Sequence, residues 1–191
     1  MTRRLWLIVL IVFLSVKAHT VAAERAELTA CGIVNGDEAQ KFVGGPLEVK
    51  EVAKKPTTNA PDTYTSVCTY IAKGGDFSNA FAASRVLDLT LNFLHTNEAM
   101  AQIYENSVSQ YVEAIRAPDV PLKNATIGMI DGFGDKAFVL EAVTDPKTGY
   151  KSALIVFYKG KIGGSIAAWK KPDSALEMTK TVLKHILSKL P

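Results

Sequence analysis

Residues 85–93 read RVLDLTLNF. Leu87, Leu89, Leu91 and Phe93 fall on one side of an extended chain, and Asp88, Thr90 and Asn92 fall on the other. Successive strand residues point to opposite faces, so this period of two predicts a strand with one buried and one wet face. Strands of that kind belong to antiparallel sheets, because parallel sheets are covered on both faces.

Reading outward, VCTYIA at 67–72 is rich in strand formers and places Cys68 and Tyr70 on one face. Leu47–Val52 alternates less cleanly and is expected to be a further strand. KKPTTNAPDTYTS at 54–66 reads as a polar, proline-punctuated loop, and KGGDFSN at 73–79 as a turn. Nearer the N-terminus, Asn35 is followed three positions later by Glu38, the pattern of a capping box. Ala39, Phe42 and Val43 then share one helical face, and Gly44-Gly45-Pro46 stops the helix.

Downstream, Met100, Ile103, Tyr104, Val108, Tyr111, Val112 and Ile115 recur at steps of three and four. They predict an amphipathic helix that begins near Asn97 and ends before Pro118. Three strands are expected at 136–143, 150–158 and 162–169, joined by TDPKTG and by a tight turn at Lys159-Gly160-Lys161. Ser174 with Glu177 predicts a capped last helix running to about Leu190. Ala175, Thr179, Val182, Leu183, Ile186 and Leu190 form its inward face. The expected order is α-β-β-β-α-β-β-β-α. The fold class is α+β, an antiparallel sheet of about six strands packed by helices.

The first residues read differently. Arg3 and Arg4 precede an apolar run, Leu5–Val16, of about 12 residues, short of the roughly 20 that a membrane-spanning helix needs. Val21-Ala22-Ala23 then supplies small residues for cleavage. This is the form of a secretory signal peptide, 1–23, cleaved near Ala23. Residues 24–30 are expected to be an exposed tail, and 31–191 a single domain. Of the 22 basic residues, Arg3, Arg4 and Lys17 lie in the leader, which holds no acid. The exported chain therefore carries 19 basic against 19 acidic residues. That balance gives no global attraction to nucleic acid, and no second run is apolar enough to span a membrane.

Both cysteines, Cys31 and Cys68, lie in the exported part. An even count in an oxidising compartment favours a disulfide. Leu28-Thr29-Ala30-Cys31 has the form of a lipobox, but Lys17, Glu24, Arg25 and Glu27 separate it from the apolar run. Lipidation of Cys31 would also leave Cys68 an odd thiol, so a lipid anchor there is disfavoured. The expected address is periplasmic or secreted.

CGIVNGDEAQKFVGGPL followed by VCTY resembles exported bacterial proteins of uncharacterised function that begin with Cys, continue through a short capped helix and resume with Cys-Thr-Tyr. GFGDKAF at 132–138 and the closing ALEMTKTVLKHILSKL are similar to theirs. The resemblance implies a PsbP-like α+β fold and a bond between Cys31 and Cys68. It brings no catalytic motif.

His95 and His185 each stand alone and are expected on the surface. Neither has the His or Cys spacing that a zinc site requires, so no metal or other cofactor is expected. GGDF at 74–77 lacks the glutamate and the surroundings of a GGDEF signature and reads as a turn. Gly132-Phe133-Gly134-Asp135 lacks the ending of a phosphate loop and reads as a turn with positive φ at one glycine. An exposed Phe133 with Gly134, Asp135 and Lys136, together with Trp169 beside Lys170 and Lys171, forms the candidate binding surface. Asn124-Ala125-Thr126 is a sequon. The expected function is an exported, non-enzymatic binding or accessory domain whose partner is a protein, an envelope component or a small ligand. The alternative is a small secreted hydrolase whose site is dispersed in sequence.

Overall fold

The computed structural model describes residues 28–54, 63–74, 85–116, 125–145, 150–170 and 175–191. The leader, Asn124 of the sequon, the Ser174 cap and most of GGDF lie outside the described residues. Two helices come first, α1 (Ala30–Ile33) and α2 (Gly36–Val43). Strands β1 (Leu47–Lys54), β2 (Tyr64–Ala72) and β3 (Arg85–Phe93) follow, then helix α3 (Asn97–Arg116). β4 (Thr126–Met129), β5 (Lys136–Asp145), β6 (Tyr150–Lys159) and β7 (Ile162–Lys170) precede helix α4 (Ala175–Lys189).

All seven strands form one antiparallel sheet in the order β1-β2-β3-β7-β6-β5-β4. Two meanders meet where β3 pairs with β7, and α3 carries the chain from the middle of the sheet to its far edge. The expected α+β antiparallel class holds. Among the described residues β4 brings the expected count of about six strands to seven, and α1 adds a helix. β4 is a four-residue edge strand whose side chains are mostly exposed, so burial imposes no alternation on it. α1 is a single turn, too short for a helical period to show. β2 also begins at Tyr64, inside the expected loop, because Tyr64, Thr65 and Ser66 pair with Phe93, Asn92 and Leu91.

One face of the sheet carries the main core. Cys68, Tyr70, Leu87, Leu89, Leu91, Phe93, Ile155, Phe157, Ile166 and Ala168 pack there under α1, α2 and α4, whose Ile33, Ala39, Val182, Leu183 and Ile186 face them. Leu87, Leu89 and Leu91 are wholly buried. Full burial of each such side chain contributes about 1.5–3 kcal/mol. A second cluster lies on the opposite face, where Met100 and Tyr104 of α3 cover Phe138, Leu140, Val156 and Tyr158. β5 and β6 are thus buried on both faces, which is why Leu154–Tyr158 reads LIVFY without a polar break. Where α3 crosses β7 the strand has Gly163. A Cβ there would press on Met100 Sδ and the Phe157 carbonyl.

The N-terminal boundary also moves. Residues 28–30, expected in the exposed tail, are held by the fold. Thr29 caps α1 by accepting from the Gly32 amide at 3.0 Å. Ala30 is wholly buried, and its amide donates to Ser66 Oγ at 2.8 Å. Tyr64 Oη donates to the Leu28 carbonyl at 3.1 Å, and Tyr70 Oη donates to the Val34 carbonyl. Cys31 and Cys68 form a disulfide, with Cα atoms 5.2 Å apart.

A polar clip joins the helices over this core. The Asn35–Glu38 capping box is present, each backbone amide donating to the other side chain at 3.0 Å. Glu38 Oε1 accepts from Lys189 Nζ at 2.7 Å, and the same ammonium donates to the Ile33 carbonyl at 2.7 Å. His185, expected on the surface, is half-buried here. Its Nε2 lies 3.2 Å from Glu38 Oε1, and its ring meets Phe42 edge-on at 5.4 Å.

Candidate functional site

Antiparallel register brings the start of β2, the end of β3, the end of β6 and the starts of β5 and β7 to one end of the sheet. Tyr64 lies opposite Phe93, Phe93 opposite Ile162, Ile162 opposite Lys159, and Tyr158 opposite Lys136. Beyond these strand ends lies a cleft of about 790 Å³. Leu28, Tyr64, Phe93, Leu94, Ile162 and Pro191 supply its apolar lining. His95, Asn97, Asp135, Lys159, Gly160 and Lys161 supply its polar lining.

Each part of this lining has a structural cause. Tyr64 and Phe93 are cross-strand neighbours, and their rings stack at 4.1 Å with planes 14° apart. The tight turn at Gly160, with φ of 58°, sets Lys159 and Lys161 on either side of the hairpin tip. Gly160 donates its amide to Asp135 Oδ2 at 2.7 Å, while the Asp135 amide donates to the Tyr158 carbonyl at 2.8 Å. The 131–135 loop is thereby fastened to the β6–β7 hairpin. Lys159 Nζ donates to the Leu190 carbonyl at 3.2 Å and holds the end of α4 against the same wall.

Of the five residues expected to form a binding surface, only Asp135 lines this cleft. Phe133, expected to be exposed, is half-buried against the main core, with Lys184 Nζ 5.8 Å from its ring centroid. Gly134 lets the loop turn against β6, at φ of 73°. The turn holds two left-handed glycines, since Gly132 sits at φ of 81°. Lys136 turns toward α3 and pairs with Glu105 at 2.6 Å, and that hydrogen bond holds its ammonium above the ordinary lysine range. Trp169 is half-buried opposite Ser152, at the other end of β7. It stands seven positions from Ile162, roughly 23 Å along a strand. Phe133 and Trp169 therefore do not form one surface.

A second depression of about 70 Å³ lies between α3 and the sheet, lined by Asn92, Met100, Tyr104, Ser107, Tyr111 and Ser165 among others. Burial, aided by Glu105 and Tyr158, pushes the Tyr104 hydroxyl up to about 12, and burial also raises Tyr111. Small-molecule sites span about 300–1,000 Å³, which the end cleft meets and this depression does not. Among the described residues, no group of three or more His, Cys, Asp or Glu is placed to hold a metal ion. No described helix is long and apolar enough to cross a membrane.

Sequence reading missed Leu28, Tyr64, Phe93, His95, Lys159 and Lys161 as members of a site. Phe93 reads as a strand end and Lys159 as part of a tight turn, but only the register of β3, β7 and β6 sets them side by side.

The fold is similar to a solved structure, the extracellular domain of PknH from Mycobacterium tuberculosis, at a TM-score of 0.57 and 7% identity. The match covers 85% of this chain and 97% of that one. No family model and no curated protein matches the sequence.

Proposed function

We propose that this chain is an exported, non-enzymatic binding domain that holds a small ligand in the cleft at the hairpin end of its sheet. The observation that carries the reading is the cleft: about 790 Å³, with an apolar and aromatic lining and a few polar groups at the hairpin tip. That combination is the usual make-up of a small-molecule site. Asp135 and Lys159 already serve an amide and a carbonyl of the fold, so their placement supports holding rather than turnover. Export is supported by the leader-like residues 1–23, by a disulfide of the kind kept in oxidising compartments, and by the likeness in fold to an extracellular domain. The resemblance to exported Cys…Cys-Thr-Tyr proteins supports the same address.

Two measurements test this. The intact mass of the exported protein should begin at Glu24 and carry no diacylglyceryl group; a retained leader or a lipid on Cys31 overturns the address. In amide NMR, a mixed library of acidic, basic and neutral fragments should shift Leu94, Asn97, Gly160 and Ile162. An absence of shifts, or shifts confined to Ser107 and Ser165, overturns the cleft.

A further inference from the structure

We propose that β1 is a self-association edge: two copies of this chain pair their β1 strands antiparallel about a two-fold axis at Val49 and so join their sheets. No residue of β1 lines the cleft, so this reading stands or falls separately from that of the cleft.

The first observation is an open edge. β1 is an outermost strand of the sheet, eight residues long, and among the described residues β2 is its one neighbour in the ladder. The Lys73 amide donates to the Pro46 carbonyl at 3.1 Å, which makes Pro46 and Lys73 a hydrogen-bonded pair where β1 begins. Hydrogen-bonded and non-hydrogen-bonded pairs alternate along an antiparallel ladder. Glu48 and Lys50 therefore turn their backbone groups toward β2, while Leu47, Val49 and Glu51 turn theirs outward. Val49 stands opposite Tyr70 of the main core, on the face that carries the helices, yet it is 41% exposed. The helices thus leave the edge open at Val49.

The second observation is charge complementarity of this edge with itself. Charged side chains guard an edge strand against foreign strands. Here they also select one way for the strand to meet its own copy. In a two-fold pair, residues equally far from the axis lie opposite each other. Of axes at the exposed positions 48–51, those at Glu48, Lys50 and Glu51 each set a charge against its own copy. An axis at Val49 sets Glu48 opposite the second copy's Lys50, and Lys50 opposite the second copy's Glu48. It also brings the outward backbone groups of Val49 to those of the second copy's Val49, and those of Leu47 to those of Glu51. One register thus satisfies the ladder, puts valine on valine and pairs opposite charges on either side. Glu48 Oε1 accepts from the Gly74 amide at 3.0 Å. A carboxylate has two accepting oxygens and an ammonium three donors, so bonds within each chain leave room for the pairing between chains.

A single strand edge is a small interface, so the dimer should be weak, with a Kd of about 0.1 mM. Sedimentation velocity of the exported protein from about 10 μM to about 1 mM should show monomer passing to dimer. Lys50→Glu and Glu48→Lys should each weaken association about tenfold or more, because each sets like charges across the axis. An equimolar mixture of these two variants should associate again, since every pair across the axis is then opposite in charge. Val49→Pro removes an outward amide, not one that serves β2, and should abolish the dimer while urea unfolding stays cooperative. A parent chain that remains monomeric at about 1 mM overturns the proposal. A dimer that survives both charge reversals, or a mixture that fails to associate, overturns it as well. Should Val49→Pro fail to fold, the two reversals and their mixture decide alone.

Discussion

At Gly134 the backbone runs at φ of 73°, and an added Cβ would strike the Tyr158 carbonyl. That carbonyl is also the acceptor for the Asp135 amide. The close approach is thus what fastens the loop to β6. Gly132, two residues earlier, shares the left-handed conformation at φ of 81° but has open space where a Cβ would stand. The two glycines separate conformational strain from collision. Gly132→Ala should cost about 1–2 kcal/mol, the ordinary penalty for a left-handed L-residue. Gly134→Ala adds a collision with backbone and should cost clearly more, about 3 kcal/mol or above. Urea unfolding of the two variants measures the order; equal losses would mean that the loop moves off Tyr158 at no cost. The need for glycine in this turn was legible in GFGD. Which glycine touches another strand was not, because the touching atom is 24 positions away in sequence.

Among the elements, the clip formed by α1, α2 and α4 turns on Glu38. Burial pushes its carboxyl up, but the Lys189 hydrogen bond, the Asn35 amide and the charges of Lys189 and His185 outweigh burial and hold it below its ordinary value of 4.5. A carboxylate whose folded pKa is lowered adds stability above its unfolded pKa and loses it as pH falls through the folded one. Glu38→Gln should therefore destabilise the protein at pH 7, and the difference from the parent should shrink as pH falls below about 4.5. Urea melts of both proteins from pH 7 to pH 3 measure it; a constant difference would show that the charge of Glu38 does not hold the helices. The capping half of this clip was legible, since Asn35 and Glu38 stand three apart. Its Lys189 half was not, because Glu38 and Lys189 stand 151 positions apart and meet only once α2 and α4 pack side by side on one face of the sheet. The same distinction runs through the other elements. β3, α3 and α4 present long buried faces, and burial writes a period into their sequences. β4 at the sheet edge and the single turn of α1 are held by backbone pairing and by a cap, which leave no such period.

Over the whole molecule the cleft is assembled from pieces far apart in the chain: Leu28 before α1, Tyr64 and Phe93 at two strand ends, the loop at Asp135, and the hairpin at Lys159–Ile162. No local spacing encodes that convergence; it follows from seven strands sharing one register. The disulfide holds one wall of it. Cys31 lies on α1, three residues beyond Leu28, and Cys68 is wholly buried in β2, so the bond ties the cleft's N-terminal edge to the strand next to the sheet's β1 edge. The closed loop spans 37 positions, for which the chain-entropy model gives about 3–4 kcal/mol. The double variant Cys31→Ser, Cys68→Ser should lose about that much in urea unfolding. The loss should also be uneven. Hydrogen exchange should quicken first at Ala30–Val34, which rests on the bond, the Ser66 hydroxyl and the Tyr70 hydroxyl. β6 and β7, with neighbours on both edges and the two cores on β6, should keep their protection. Uniform quickening along the chain would mean that the bond stabilises the fold only through the unfolded state. Local quickening at α1 with β6 and β7 unchanged would show it also holding Leu28 against Tyr64, where the cleft begins.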